Sequence, residues 1–161
     1  MKNGKRDDII GGEMKIIFNN KKAFHNFFVS DLVEAGIELQ GFEVKSIRDG
    51  AVNLSDSYVK IKNGEAWLKN CYIAPYDKNG LTSSYDSRRT RKLLLHKGEI
   101  LRLERMVNEK GLSIVPTKIY IDKGRVKIEI GLAKGKKLYD KRAVLRDRAI
   151  ARDIDQTLKN L

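Results

Sequence analysis

The chain has 161 residues, and its 33 lysines and arginines outnumber its 21 aspartates and glutamates, which gives a formal net charge of +12. No run approaches the roughly 18 consecutive apolar residues of a membrane-spanning helix, and the polar N-terminus lacks a signal-peptide core, so we expect a cytoplasmic protein. The charge favours a polyanionic partner, with nucleic acid ahead of an anionic membrane surface.

The N-terminal third is predicted to be mainly extended. Residues 1–12 are expected to form an arm without regular structure, and residues 14–18 a short strand. The asparagine pair at 19–20 offers a helix cap or a turn. Residues 25–40 are predicted to be mostly extended, with Gly36 as a bulge or bend, and a helix over the first half of this stretch is the competing interpretation.

A short helix and a hairpin are predicted next. Residues 41–49 place apolar side chains three apart, as in one or two helical turns that Gly50 would end. Residues 57–72 form two β-prone runs around Asn63-Gly64, the pair typical of a two-residue hairpin turn.

The following segment alternates between loop, helix and hairpin. Residues 77–92 are polar and then basic, and are interpreted as a long exposed loop. Residues 96–110 carry apolar side chains at helical spacing, with Gly111 as the stop. Residues 112–132 give two strands around the turn at 122–124, and the second alternates apolar with charged side chains.

The C-terminal stretch can form a basic amphipathic helix, which we expect to be weakly ordered until it meets a partner. The whole pattern is mainly β with inserted helices, and an OB-like closed antiparallel barrel is the favoured fold. We divide the chain into an arm with a lead-in strand (1–17), an OB-like domain (18–133) and a basic tail (134–161), and the positive charge makes nucleic acid the expected ligand of the domain.

Two basic clusters are candidate phosphate contacts, each with a solvated loop or linker as the alternative. The first lies at the end of the predicted loop and comprises Arg88, Arg89, Arg91 and Lys92. The second surrounds Gly135, whose low bulk would let the backbone approach a phosphate. It comprises Lys134, Lys136, Lys137, Lys141 and Arg142.

No constellation for catalysis or metal binding stands out, so neither enzyme activity nor a cofactor is expected. The lone Cys71 and two histidines cannot supply a Cys/His zinc site, and Cys71 fits a core position. His25 could stack on an unpaired base or pack in an aromatic strand. Tyr58 and Trp67 are expected in the hairpin core. Surface or ion-pair roles are expected for Glu34, Glu38 and Glu43.

Several short sequence words occur in a fixed order over roughly residues 20–158. They are NKKAFH (20–25), EAG (34–36), GFEVKSIR (41–48), DSY (56–58), NGEA (63–66), IAPY (73–76), RKLLLHK (91–97) and GLAKGKKLYDKR (131–142). In order and spacing the chain resembles the small protein B family, the tmRNA-binding (SsrA-binding) proteins of bacteria. Residues 1–17 carry no word of that family.

The resemblance implies an OB-like barrel that binds the tRNA-like domain of tmRNA, the RNA that serves as both tRNA and message. It also implies entry into stalled ribosomes as a monomer, with elongation factor Tu acting indirectly through alanyl-tmRNA. The tail would probe the empty mRNA channel beside the small-subunit decoding centre and become helical there. Ribosome rescue and tagging of the incomplete peptide would follow.

Family residues carry over where the words match. His25 corresponds to a base-stacking histidine, and Glu34, Arg48, Leu94 and Lys127 to contacts with the tRNA-like domain. The tail contacts with the ribosome would begin in the second basic cluster and continue toward the C-terminus. They comprise Lys134, Gly135, Lys136, Lys137, Tyr139, Asp140, Lys141, Arg142, Arg148 and Arg152.

Three other functions fit parts of the sequence. A general OB-fold binder of ribosomal or transfer RNA explains the charge and the strands but not the long basic tail. A peripheral membrane protein could use the tail as an amphipathic anchor, but its apolar stripe lacks bulky aromatic residues. An RNA-modifying enzyme would need a catalytic constellation that the sequence does not contain.

Overall fold

A computed structural model describes residues 14–76 and 84–136, together with the backbone of residues 9–10. The helices are α1 (Lys21–Asn26), α2 (Gly41–Arg48) and α3 (Lys97–Lys110). The strands are β1 (Ile9–Ile10), β2 (Met14–Asn19), β3 (Phe27–Ile37), β4 (Val52–Asn53), β5 (Tyr58–Lys62), β6 (Glu65–Lys69), β7 (Tyr72–Ile73), β8 (Arg91–Leu94), β9 (Ser113–Asp122) and β10 (Arg125–Gly135). In the described ranges, no helix is long and apolar enough to cross a membrane.

Six strands form a closed ring of antiparallel pairings. They follow the order β9, β10, β3, β8, β6, β5, and the ring closes where Val59 of β5 pairs with Ile114 of β9. Strands β2 and β1 extend the sheet outward from β9, and β4 pairs with β7 in a second small sheet. The prediction of a mainly β protein with inserted helices is confirmed.

Both predicted hairpin turns are present. Asn63 and Gly64 have φ of 54° and 73°, and Lys123 and Gly124 have φ of 51° and 74°. Two successive residues with positive φ are the requirement of a type I′ turn, whose twist matches that of the flanking strands. At both places the residues of the turn itself were enough to predict the hairpin.

Helices α2 and α3 end at the glycines that the sequence indicates, and at α1 the structure selects the helix cap from the two alternatives offered by the asparagine pair. The Asn20 side chain accepts a hydrogen bond from the Ala23 amide at 3.3 Å and caps α1. Helix α2 ends before Gly50 (φ 78°), and α3 ends at Gly111 (φ 62°). These glycines adopt the left-handed conformation that commonly terminates helices. Asn20 also ties α1 to the ring, because its amide donates to the Pro116 carbonyl at 2.8 Å.

Strand β3 differs from its prediction in two respects. The extended chain begins at Phe27, so residues 25 and 26 belong to α1, which supports the competing helical interpretation for that end. The irregularity lies at Asp31 and Leu32, which together face Gly131, and not at Gly36. Asp31 has a φ of 54°, a conformation that aspartate tolerates better than most residues.

The core fills the interior of the ring. Alternate residues of the strands point inward, and α2 and α3 each add a buried aliphatic side chain, Ile47 and Leu103. The inward side of β10 holds Ile128 and Ile130, as its alternating pattern predicts. Cys71 is fully buried in the same core, as expected. The charged side chains at the outward positions of these strands therefore lie on the surface of the protein.

Candidate nucleic-acid interface

Glu34 and Lys127 lie together on the outer side of the ring, as an ion pair between β3 and β10. The Lys127 Nζ atom is 2.9 Å from Glu34 Oε1 and 3.5 Å from Asp122 Oδ2. Tyr120 donates a hydrogen bond to the second Glu34 oxygen. The Tyr120 and Lys127 hydrogen bonds lower the pKa of Glu34 below its ordinary value, and the Glu34 hydrogen bond raises the pKa of Lys127. Half of the Glu34 side chain remains exposed as a fixed carboxylate.

Leu94 lies beside this ion pair because Gly36 has no side chain. Gly36 pairs with Lys127 on one side and with Leu94 on the other. A Cβ atom at Gly36 would lie 3.2 Å from the Leu94 Cβ, so glycine permits this close pairing. Leu94 is 51% exposed, and Leu94 and Glu34 line the same groove of about 760 Å³. We call Glu34, Leu94 and Lys127 the carboxylate surface.

His25 and Arg48 are each exposed at the end of a helix. His25 lies in the last turn of α1, and Arg48 is the last residue of α2. Within the described residues, neither side chain forms a hydrogen bond or an ion pair. His25 is therefore not packed in an aromatic strand, and its ring is available to stack on a base.

The first basic cluster is not a uniform phosphate site. Arg91 begins strand β8 and is fully buried, with its Nε atom 2.6 Å from Glu43 Oε2. Arg89 also binds Glu43, which is fully buried, and Tyr85 donates to the same carboxylate at 2.8 Å. Burial alone would raise the pKa of Glu43, but the bonds from Arg89, the Gln40 amide and Tyr85, with the Arg91 charge, lower it.

The prediction that Arg91 lies in an exposed loop and contacts phosphate is therefore wrong. The sequence alone does not distinguish an arginine that pairs with a buried carboxylate from an arginine that faces water. Arg89 is partly exposed but is held by Glu43. The ion-pair role expected for Glu43 is confirmed.

Arg88 and Lys92 remain at the surface. Arg88 donates to the Asn70 side chain at 3.2 Å and lies 5.7 Å from the centroid of the Tyr72 ring. Lys92 faces outward from β8 and forms a 3.4 Å ion pair with Glu65. Arg88 is exposed and Lys92 is partly exposed, so either side chain could approach a phosphate.

The second basic cluster begins inside the sheet. Lys134 pairs with Phe28 and Gly135 with Phe27, so β10 continues two residues past the domain boundary expected at 133. Lys136 donates to the Phe24 carbonyl at 2.9 Å and lies 5.0 Å from the centroid of the Phe28 ring. These contacts bring the start of the tail to α1, the helix that carries His25. The other tail candidates, Lys137, Tyr139, Asp140, Lys141, Arg142, Arg148 and Arg152, lie outside the described residues.

Tyr58 and Trp67 are not in the hairpin core. Tyr58 is 45% exposed and Trp67 is partly exposed, whereas their neighbours Val59 and Leu68 point inward. The strand alternation in Tyr58–Lys62 already carried this signal, because the tyrosine has the same parity as the lysines and the opposite parity to valine and isoleucine. Aromatic character alone was a poor guide to burial here.

Comparison with known proteins decides the family. The model of the SmpB protein family matches residues 17–160. The chain is 52% identical over 145 residues to the SsrA-binding protein of Sulfurihydrogenibium sp., covering 90% of this chain and 95% of the relative. The chain belongs to the SmpB family. The SsrA-binding protein of Enterococcus hirae is likewise 52% identical over 149 residues, covering 92% and 96% of the two chains.

A solved SmpB-family structure has the same fold. It is described as "tmRNA-SmpB: a journey to the center of the bacterial ribosome", and the two chains superpose with a TM-score of 0.63 at 47% identity. The match covers 74% of this chain and 83% of the other. The SmpB family match begins at residue 17.

Proposed function

We propose that this protein binds the tRNA-like domain of tmRNA and delivers it to stalled ribosomes for trans-translation, in which the ribosome is released and the incomplete peptide is tagged. Membership of the SmpB family supports this function, as do relatives named SsrA-binding proteins and a solved relative described with tmRNA and the bacterial ribosome. The structural observation that carries it is the carboxylate surface, which joins three residues that are far apart in the sequence.

Each member of the tmRNA interface has a distinct chemical task in this proposal. His25 stacks on an unpaired base, and Arg48 binds phosphate with its planar guanidinium. Glu34 stays ionised and accepts a hydrogen bond from a base amino group or a ribose hydroxyl. Lys127 holds that carboxylate in place and adds positive charge, while Leu94 offers an apolar contact. Arg88 and Lys92 supply further phosphate contacts at the edge of the interface.

The ring of six strands serves in this proposal as an OB-like barrel, whose closure removes the exposed strand edges. We assign residues 18–133 to the RNA-binding domain, with its last strand ending at Gly135, residues 1–17 to an arm and lead-in strand, and residues 134–161 to the tail. We propose a monomer that works by binding and not by catalysis, in the cytoplasm where ribosomes operate.

The tail is proposed to act in the ribosome and not on tmRNA. Its basic residues suit an mRNA channel lined with phosphate, and contacts made there would offset the entropy cost of ordering it. Asp140, Lys141 and Arg142 are the proposed contacts near the decoding centre. Elongation factor Tu would take part through alanyl-tmRNA and without touching this chain.

A gel-shift titration with tmRNA at fixed physiological salt tests the interface. His25→Ala should weaken binding about 5- to 150-fold, since one stacked base contributes about 1–3 kcal/mol. Arg48→Ala should weaken it as well. Arg105→Ala is the matched control, because it removes the same charge from the exposed surface of α3. Equal affinities for the Arg48 and Arg105 variants would reject the assignment of Arg48.

A peptide-tagging assay on stalled ribosomes tests the tail. Replacing Asp140, Lys141 and Arg142 together with alanine should stop tagging while the affinity for tmRNA stays near that of the unaltered protein. Tagging at the normal rate by this variant would show that the tail contacts have been placed in the wrong segment.

A further inference from the structure

The outer side of the β5–β6–β8 segment combines aromatic rings with positive charge. Its outward positions hold four lysines, two aromatic residues and a single acidic residue, apart from Leu94 of the carboxylate surface. We call this set the hairpin face. It comprises Tyr58, Lys60, Lys62, Glu65, Trp67, Lys69 and Lys92.

Trp67 lies at the centre of the hairpin face with a lysine on either side. In the strand register Trp67 is directly opposite Lys60 on β5 and Lys92 on β8. Because neighbouring strands are about 4.8 Å apart, the two lysine backbones lie about 10 Å from each other across the indole. The ring also borders a groove of about 700 Å³ that Thr90 and the lysines of β5 help to line.

The charge of this face is poorly neutralised by the protein itself. In the parts of the chain that the structure describes, Lys60, Lys62 and Lys69 form no ion pair, and Lys92 reaches Glu65 only at 3.4 Å. No described cation lies over the Trp67 ring, although other aromatic rings of the protein do carry one. The face therefore presents a partly exposed indole between Lys60, which has no ion pair among the described residues, and Lys92, whose ion pair is long.

We propose that the hairpin face binds a single-stranded RNA segment, with a base stacked on Trp67 and the flanking phosphates held by Lys60 and Lys92. Aromatic stacking platforms inside a positive groove are the usual means of binding single strands without sequence preference. This site goes beyond the proposed recognition of the tRNA-like domain by His25 and Arg48, and of the residues proposed for that interface it shares only Lys92. The proposed partner is single-stranded RNA, because each of its nucleotides supplies both a base that can stack on the indole and a phosphate for a neighbouring lysine.

The hairpin face is distant from His25. Strand β8 pairs with the Gly36 end of β3, whereas α1 leads into the Phe27 end. Nine residues separate those two positions, which corresponds to about 30 Å of strand. A change at His25 should therefore leave the hairpin face intact, and the two sites can be tested separately.

Trp67 is the only tryptophan of the chain, so its fluorescence reports on this site alone. Titration of the full-length protein with a twelve-nucleotide oligouridylate should quench the emission. The affinity should fall with added salt. Replacing both Lys60 and Lys92 with alanine should weaken binding at least tenfold. It should also reduce the slope of log affinity against log salt by about 1.4, at about 0.7 per lost phosphate contact.

Two control proteins complete the experiment. The Arg105→Ala/Lys110→Ala double variant loses the same charge from α3 and should bind the oligouridylate as the unaltered protein does. His25→Ala should also keep the quenching, even if it loses tmRNA in the gel shift, so failure of one site is distinguishable from failure of the other. Absence of quenching, or equal weakening in the two double variants, would overturn the proposal.

Discussion

The substitution Glu43→Gln tests the buried ion pair that anchors β8 to α2. It preserves the size of the side chain and removes only its charge. In the unaltered protein the carboxylate is fully buried and accepts hydrogen bonds from Arg89, Arg91, Tyr85 and the Gln40 amide, the last at 2.8 Å. After the change, the fully buried Arg91 guanidinium has no ionised carboxylate to balance it.

The expected cost follows from that uncompensated charge. Breaking a buried pair by removing one partner costs about 3–5 kcal/mol, whereas a solvent-exposed pair contributes at most about 1 kcal/mol. Urea denaturation followed by circular dichroism should therefore show a loss of about 3–5 kcal/mol in the free energy of unfolding for Glu43→Gln. The matched control is Glu65→Gln, which breaks the partly exposed pair with Lys92 and should cost less than about 1 kcal/mol.

The same variant should alter the pH dependence of stability. The pKa of Glu43 is lowered in the folded protein from its ordinary value of 4.5, so the carboxylate stabilises the fold above that pH. This stabilisation is lost as the pH falls through the lower folded pKa. Glu43→Gln should lose stability less steeply below pH 4.5 than the unaltered protein. The reasoning would be refuted if Glu43→Gln lost no more unfolding free energy than Glu65→Gln and its stability below pH 4.5 depended on pH as in the unaltered protein.

Three further predictions concern buried groups of the domain. Asn20→Ala removes a helix cap and two buried hydrogen bonds, so it should cost about 2–4 kcal/mol in the same denaturation assay. Gly131→Ala would place a Cβ 2.7 Å from Val29 Cγ1 and should cost about 1–3 kcal/mol, whereas Gly98→Ala, with open space around it, should not destabilise. Cys71 is fully buried, so an aromatic disulfide reagent at pH 8 should reach it only when the protein unfolds, and the same burial raises the pKa of its thiol to about 11.

Local features of the fold could be predicted from the sequence because short segments determine them. The turns at Asn63-Gly64 and Lys123-Gly124, the helix stop at Gly111 and the alternation in β10 each depend on a few neighbouring residues. The hairpin face also follows from strand parity, but the expectation that aromatic residues belong in the core concealed it. Tyr58 and Trp67 were placed inside for that reason.

Features that join distant segments could not be predicted in this way. Glu43 and Arg91 are 48 positions apart in the sequence, and the closure of the ring between β5 and β9 rests on a single residue pair. The carboxylate surface is similar, because the pairing of β3 with β8 and β10 brings Glu34, Leu94 and Lys127 together. Only the family resemblance indicated those residues, and the fold supplies the physical reason that they act as one surface.

A gel-shift titration with tmRNA, using an ordinary tRNA as competitor at physiological salt, tests the central claim most directly. The account predicts that the protein prefers tmRNA strongly, since its interface is proposed to recognise the tRNA-like domain and not positive charge alone. Equal and salt-sensitive binding to both RNAs would contradict that claim and would leave a general basic RNA-binding protein.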